Sequence, residues 1–230
     1  MASIVENPNA PDTVGETPLH IAAEYGSTEI FKFLASKVEN PNASNTNGLT
    51  PLHIAAGYGN APAQLGHTEI FKLITSKVEN PNVPMPDGWT PLHISAQHGR
   101  TDIFKFLASK VGNPNAPMSN GWTPLHIAAH HGRTEIVKFL VSKVENPNAP
   151  APNGWTPLLS AARHGWTEIL KLIASKVENP NVPIPNNGKT SLHLATEYHH
   201  TETAKAIFLI LAEKLTSSSA PELILNTMKK

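Results

Sequence analysis

Histidine is the residue type in this chain with the widest chemical range: the 230 residues include twelve histidines and no cysteine. An imidazole works as acid, base or metal ligand near neutral pH, so spacing decides which of these is open. His20, His53, His93, His126 and His193 each stand three residues after a threonine. A side chain at the third position of a helix reaches back to its cap, so these five are expected to be structural. His98, His130, His131 and His164 form a second set, near the ends of expected short helices. Zinc wants four N, O or S ligands at about 2.0–2.3 Å. Packed helices lie about 8–10 Å apart, and no cysteine or acidic cluster completes a ligand set. No metal and no cofactor are expected. Nucleophile elbows, phosphate-binding Gly-Lys-Ser/Thr loops and His-Glu-x-x-His pairs are missing. Gly57-Tyr58-Gly59 starts like a dinucleotide fingerprint, but Pro62 takes the third glycine's place. No catalytic residue is expected, and the chain reads as not an enzyme.

Charge narrows the partners. Eighteen acidic and eighteen basic side chains give a formal charge of zero. Nucleic acid and anionic membranes select basic surfaces, so neither is an expected partner. The apolar run Ala206 to Ala212 is seven residues long, against the roughly 20 that span a bilayer. Met1-Ala2-Ser3 leads into no apolar signal core. No membrane insertion is expected, and the expected location is cytoplasmic.

The elements that must position these side chains are repeated. A threonine recurs at 17, 50, 90, 123, 156 and 190, so the gaps are 33, 40, 33, 33 and 34. A period near 33 marks stacked units that cannot bury their apolar faces alone. In the fourth copy, Asn120-Gly121 predicts a type I′ hairpin turn. Thr123 is placed to cap a helix opened by Pro124, whose missing N–H costs nothing there. Leu125, Ala128 and Ala129 supply one apolar stripe, and Gly132 ends the helix. Thr134 is placed to cap a second helix over 135–141, with Glu135 near its positive end. Between Tyr58 and Thr68 lie seven extra residues, near 59–65, read as a tolerated loop insertion.

Thr-Pro-Leu-His followed by Ala-Ala, written in six variants, resembles the ankyrin repeat family. The resemblance covers about residues 5–214. It implies an all-α fold with short β-hairpins, a solenoid of helix-turn-helix units. Residues 1–214 form the expected array: a partial repeat over 1–11, then repeats starting near 12, 45, 85, 118, 151 and 184. Residues 215–230 read as a linker and a short apolar tail, with Pro221–Leu225 expected to cover the last repeat. The family usually ends its second helix with Gly; Val38, Val78, Val111, Val144 and Val177 stand there instead, leaving the exit geometry open. The first repeat is as apolar as the inner ones, so the chain is expected to be a fragment of a longer repeat array.

The resemblance also implies where partners bind. In the family, the residue before the capping Thr and the last residues of the first helix face a concave groove. Here the candidate contact residues at those positions are Trp89, Trp122, Trp155, Tyr25, Tyr58, His98, His130, His131, Arg163 and His164, and Lys189 and Tyr198 occupy the same positions in the last repeat. Trp, Tyr and Arg are enriched at interface hot spots, although tryptophans can also stiffen their own hairpins. The expected function is a non-catalytic scaffold binding a partner protein or peptide. The alternatives are a metal- or ligand-binding module using the groove histidines, or a structural spacer of a larger channel, effector or signalling protein. Protonation of all twelve histidines would take the charge from 0 to +12, so binding is expected to respond between about pH 7.5 and 5.5.

Overall fold

The computed structural model describes residues 7–58 and 64–217. The chain divides into two compact units, Met1–Pro124 and Leu125–Lys230. The first holds three helix pairs: α1 (Pro18–Glu24) with α2 (Thr28–Ala35), α3 (Pro51–Gly57) with α4 (Gln64–Thr75), and α5 (Pro91–His98) with α6 (Thr101–Ala108). The second holds α7 (Pro124–His130), whose first residue closes the first unit, α8 (Thr134–Val141), α9 (Pro157–His164), α10 (Thr167–Ala174), α11 (Ser191–Glu197) and α12 (Thr201–Ser217). In the first unit α3 packs between α1 and α5, and α2 packs on α4. In the second, α9 packs on α11, and α10 packs between α8 and α12. The repeated helix-turn-helix architecture expected from the sequence is therefore what each unit shows.

Two kinds of side chain fill each unit. Leu19, Leu52 and Leu92 at the second helical position are buried with the alanines after them, Ala23, Ala56 and Ala96. The small alanines let neighbouring first helices approach closely. The second helices contribute the bulk: Phe31, Phe71, Phe104, Ile136, Leu140, Leu170 and Ile173 are fully buried. Burying one such side chain contributes about 1.5–3 kcal/mol.

The first helices begin as their sequence dictates. Thr50, Thr90, Thr156 and Thr190 are extended, and each hydroxyl accepts the N–H three residues on. A second acceptor comes from the recurring Asn-Pro-Asn. The Oδ1 atoms of Asn9, Asn42, Asn82 and Asn148 accept the backbone N–H groups of Leu19, Leu52, Leu92 and Leu158 at 2.9–3.1 Å. At the starts of α3, α5 and α9, where proline leaves three open N–H groups in place of four, two are thereby satisfied. The exits of the second helices also resolve. Ser36, Ser109, Ser142 and Ser175 stay right-handed, and each hydroxyl donates to the carbonyl three residues back at 2.6–2.8 Å. The valines at the family's glycine position are not left-handed, and the serine two residues earlier satisfies a terminal carbonyl instead.

Three expectations are corrected. No β-strand forms among the described residues. Each hairpin keeps one cross-pair, such as Asn45 N–H to the Leu49 carbonyl at 2.8 Å. The returning arm is only Leu49 and Thr50 before Pro51 opens a helix, so no ladder extends. The turn is not type I′ either: Gly48 is left-handed at φ 78°, while Asn47 is not among the positive-φ residues. The Gly48 N–H closes the turn on the Asn45 carbonyl, the three-residue loop with a left-handed last residue. Finally, Thr28, Thr101, Thr134 and Thr167 are the first residues of their helices, and Ser27, Arg100, Arg133 and Trp166 hold the cap positions without a side-chain cap. The insertion near 59–65 lies outside the described residues apart from Gln64 and Leu65, which open α4. Pro221–Leu225 lies outside them entirely.

Candidate functional site

The five histidines after the capping threonines are ties within and between repeats. Nδ1 of His20 lies 2.9 Å from the Thr17 hydroxyl and accepts the Thr17 N–H at 3.1 Å. Its Nε2 lies 3.1 Å from the Leu49 carbonyl of the next repeat. A carbonyl only accepts, so the proton sits on Nε2 and the ring is neutral. His126 Nε2 meets the Trp155 carbonyl in the same way at 3.3 Å. Burial pushes His53, His93 and His126 down to about 4, against the opposing pull of nearby backbone carbonyls. These rings stay neutral where the groove would be titrated, so the rise to +12 across pH 7.5 to 5.5 does not occur.

A second series of ties, built from residues just before the threonines of the second helices, was not singled out in the sequence. His67 Nε2 lies 2.8 Å from the Glu24 carbonyl, and His200 Nε2 lies 3.0 Å from that of Arg163. Trp166 donates Nε1–H to the His130 carbonyl at 3.2 Å, and Arg100 Nε reaches the Gly57 carbonyl at 3.4 Å. The types differ, Trp, His and Arg, yet each offers a ring or guanidinium nitrogen to the end of the preceding first helix. Gly132 lets the Trp166 ring lie flat: a Cβ there would stand 2.7 Å from it.

The expected binding residues fall into local groups. In the first unit, Tyr58, Trp89 and His98 line one open cleft with Leu49, Ile54 and Ile94. Tyr58 is 52% exposed, and Trp89 is half-buried with its ring edge-on to His93. Tyr25 is 70% exposed and lines a different cleft, with Ile21 and Ile30 on the first repeat. Trp122 is half-buried, and its N–H is held by Asn120 Oδ1 at 2.9 Å.

The second unit gathers the rest. Trp155 is half-buried and donates Nε1–H to Ser160 Oγ at 2.7 Å. The Arg163 guanidinium sits 5.8 Å from the Trp155 ring centre and 5.1 Å from that of Tyr198. His130 is edge-on to both His131 and His164, with centroids 4.9 and 4.4 Å away. Burial first, and then the basic neighbours His131 and Arg163, lower the His130 pKa; His164 is lowered by burial, His130, Arg163 and His200. Among the described residues no three His, Cys, Asp or Glu side chains converge as a metal site. No helix among them is long and apolar enough to cross a membrane.

A family model described as ankyrin repeats (3 copies) matches residues 2–63, 60–151 and 143–216. The comparison with curated proteins returned no match. Ankyrin repeats are in general protein–protein interaction modules. With matches spanning nearly the whole chain, and helix pairs joined by glycine turns and capped by Thr-Pro-Leu-His, the chain belongs to the ankyrin repeat family.

Proposed function

We propose that this array is a non-catalytic scaffold that binds a partner protein or peptide along the groove side of its first helices. The supporting observation is the cleft shared by Tyr58, Trp89 and His98. It combines a half-buried indole with an exposed phenol, the mixture of large apolar area and polar handles that anchors interfaces. The residues expected to contact the partner are Trp89, Trp122, Trp155, Tyr25, Tyr58, His98, His130, His131, Arg163 and His164. The test is capture of partners by the intact chain and by Trp89→Ala, with both proteins checked by thermal melt. A hot-spot aromatic is worth about 2 kcal/mol or more, roughly thirtyfold in affinity. Retention that falls at least tenfold with an unchanged melt supports the groove. A lower melt with unchanged affinity assigns Trp89 to architecture instead.

A further inference from the structure

The side chains around Arg163 form a site of different character from the apolar cleft of the first unit. Arg163 is exposed, yet its guanidinium lies over two rings, Trp155 and Tyr198, at 5.8 and 5.1 Å from their centres. Trp155 is itself pinned by Ser160, and the backbone of Arg163 by His200. Among the described residues no carboxylate pairs with this guanidinium. Lys189, by contrast, pairs with Glu197 at 2.7 Å. Burial and the neighbouring Arg163 lower the pKa values of His130 and His164, so the lasting positive charge of this surface is the Arg163 guanidinium, which favours an external counter-charge.

Resting on the groove reading above, we propose that Arg163, stacked on Trp155 and Tyr198 and flanked by His130, His131 and His164, docks an anionic side chain on an acidic segment of the partner protein. A guanidinium presents its donors in a planar fork that fits a carboxylate or a phosphate two-to-two. Stacking on the rings fixes that fork in advance, so less side-chain freedom is lost on binding. Trp155 and Tyr198 then cover the aliphatic part of the incoming residue. The neutral formal charge of the whole chain is compatible with this, because complementarity acts locally across an interface.

The experiment selects peptides from a random nonapeptide library on the intact chain and, in parallel, on Arg163→Gln. The site predicts that peptides from the intact chain are enriched in Asp and Glu. It predicts that their affinity falls tenfold or more on Arg163→Gln, with the melt unchanged, and on replacement of their acids by Asn and Gln. Arg163→Lys, which keeps charge but not the fork, should recover only part. Tyr198→Leu, which removes one ring and no charge, guards against misfolding of the first variant and should also weaken binding. Replacing one acid by phosphoserine distinguishes the source: a gain of tenfold or more assigns the site to phosphorylated segments, and no gain to carboxylates. Peptides without acidic enrichment, or equal affinity on Arg163→Gln, would overturn the proposal. Failure to select any peptide would overturn it too. Protein capture that still depends on Trp89 would then leave the scaffold reading standing.

Discussion

Protonation separates two populations of histidine that look alike in the chain. For His53, His93 and His126 the folded pKa is about 4 and the unfolded value about 6.5. Above pH 6.5 both states hold a neutral ring and the full stabilisation is present. Between 6.5 and 4 the unfolded chain binds the extra proton, so stability falls with pH, by up to about 1.4 kcal/mol per unit for each ring. Urea midpoints measured from pH 7.5 to 4.5 should therefore decline below 6.5, and a His93→Gln variant should decline less steeply. A midpoint flat over that range contradicts neutral, buried capping rings. His199 carries a different strain. It is left-handed at φ 59°, where the preceding repeats use Gly132 and Gly165. A side chain in that region costs roughly 1–2 kcal/mol, so His199→Gly should raise the urea midpoint by about 1 kcal/mol of stability with an unchanged slope. A lower midpoint would mean that the imidazole makes contacts worth more than the strain.

At the scale of elements, each first helix depends on a loop residue distant in sequence. Asn148 Oδ1 accepts the N–H of Leu158, ten residues on. Its replacement by Ala leaves a buried helix-start donor unmet, at a cost of about 1–2 kcal/mol. Asn148→Asp keeps the acceptor and should lose much less. Equal losses in the two denaturation curves would show that this oxygen does not cap the helix. The capping threonines and their histidines are legible in the sequence because their partners are within one turn. The Asn-Pro-Asn oxygens are not, since nothing local says which N–H they meet. Trp166 is hidden for the same reason: its partner His130 lies 36 residues earlier, and the types at its position vary. The hairpins are over-read because Asn-Gly signals a turn but says nothing about arm length, and Pro51 cuts the arm short. The groove side chains are legible by position alone; that Arg163 meets both Trp155 and Tyr198 depends on rotamers the sequence does not display.

For the molecule as a whole, the two faces of the helix pairs have been given different work. Second helices supply the buried bulk of each unit, while first helices end in exposed aromatic and basic residues beside the hairpin turns. Family membership makes protein binding the general expectation; the face is the part we propose. Hydrogen–deuterium exchange of the intact chain, with and without its captured partner, tests that face directly. Protection should concentrate at the hairpin turns and first-helix ends around Trp89, Trp122 and Trp155, with Tyr58, His98 and Arg163 beside them. Protection confined to the outer second helices, α2, α4, α8 and α10, with the turns unchanged, would contradict the account.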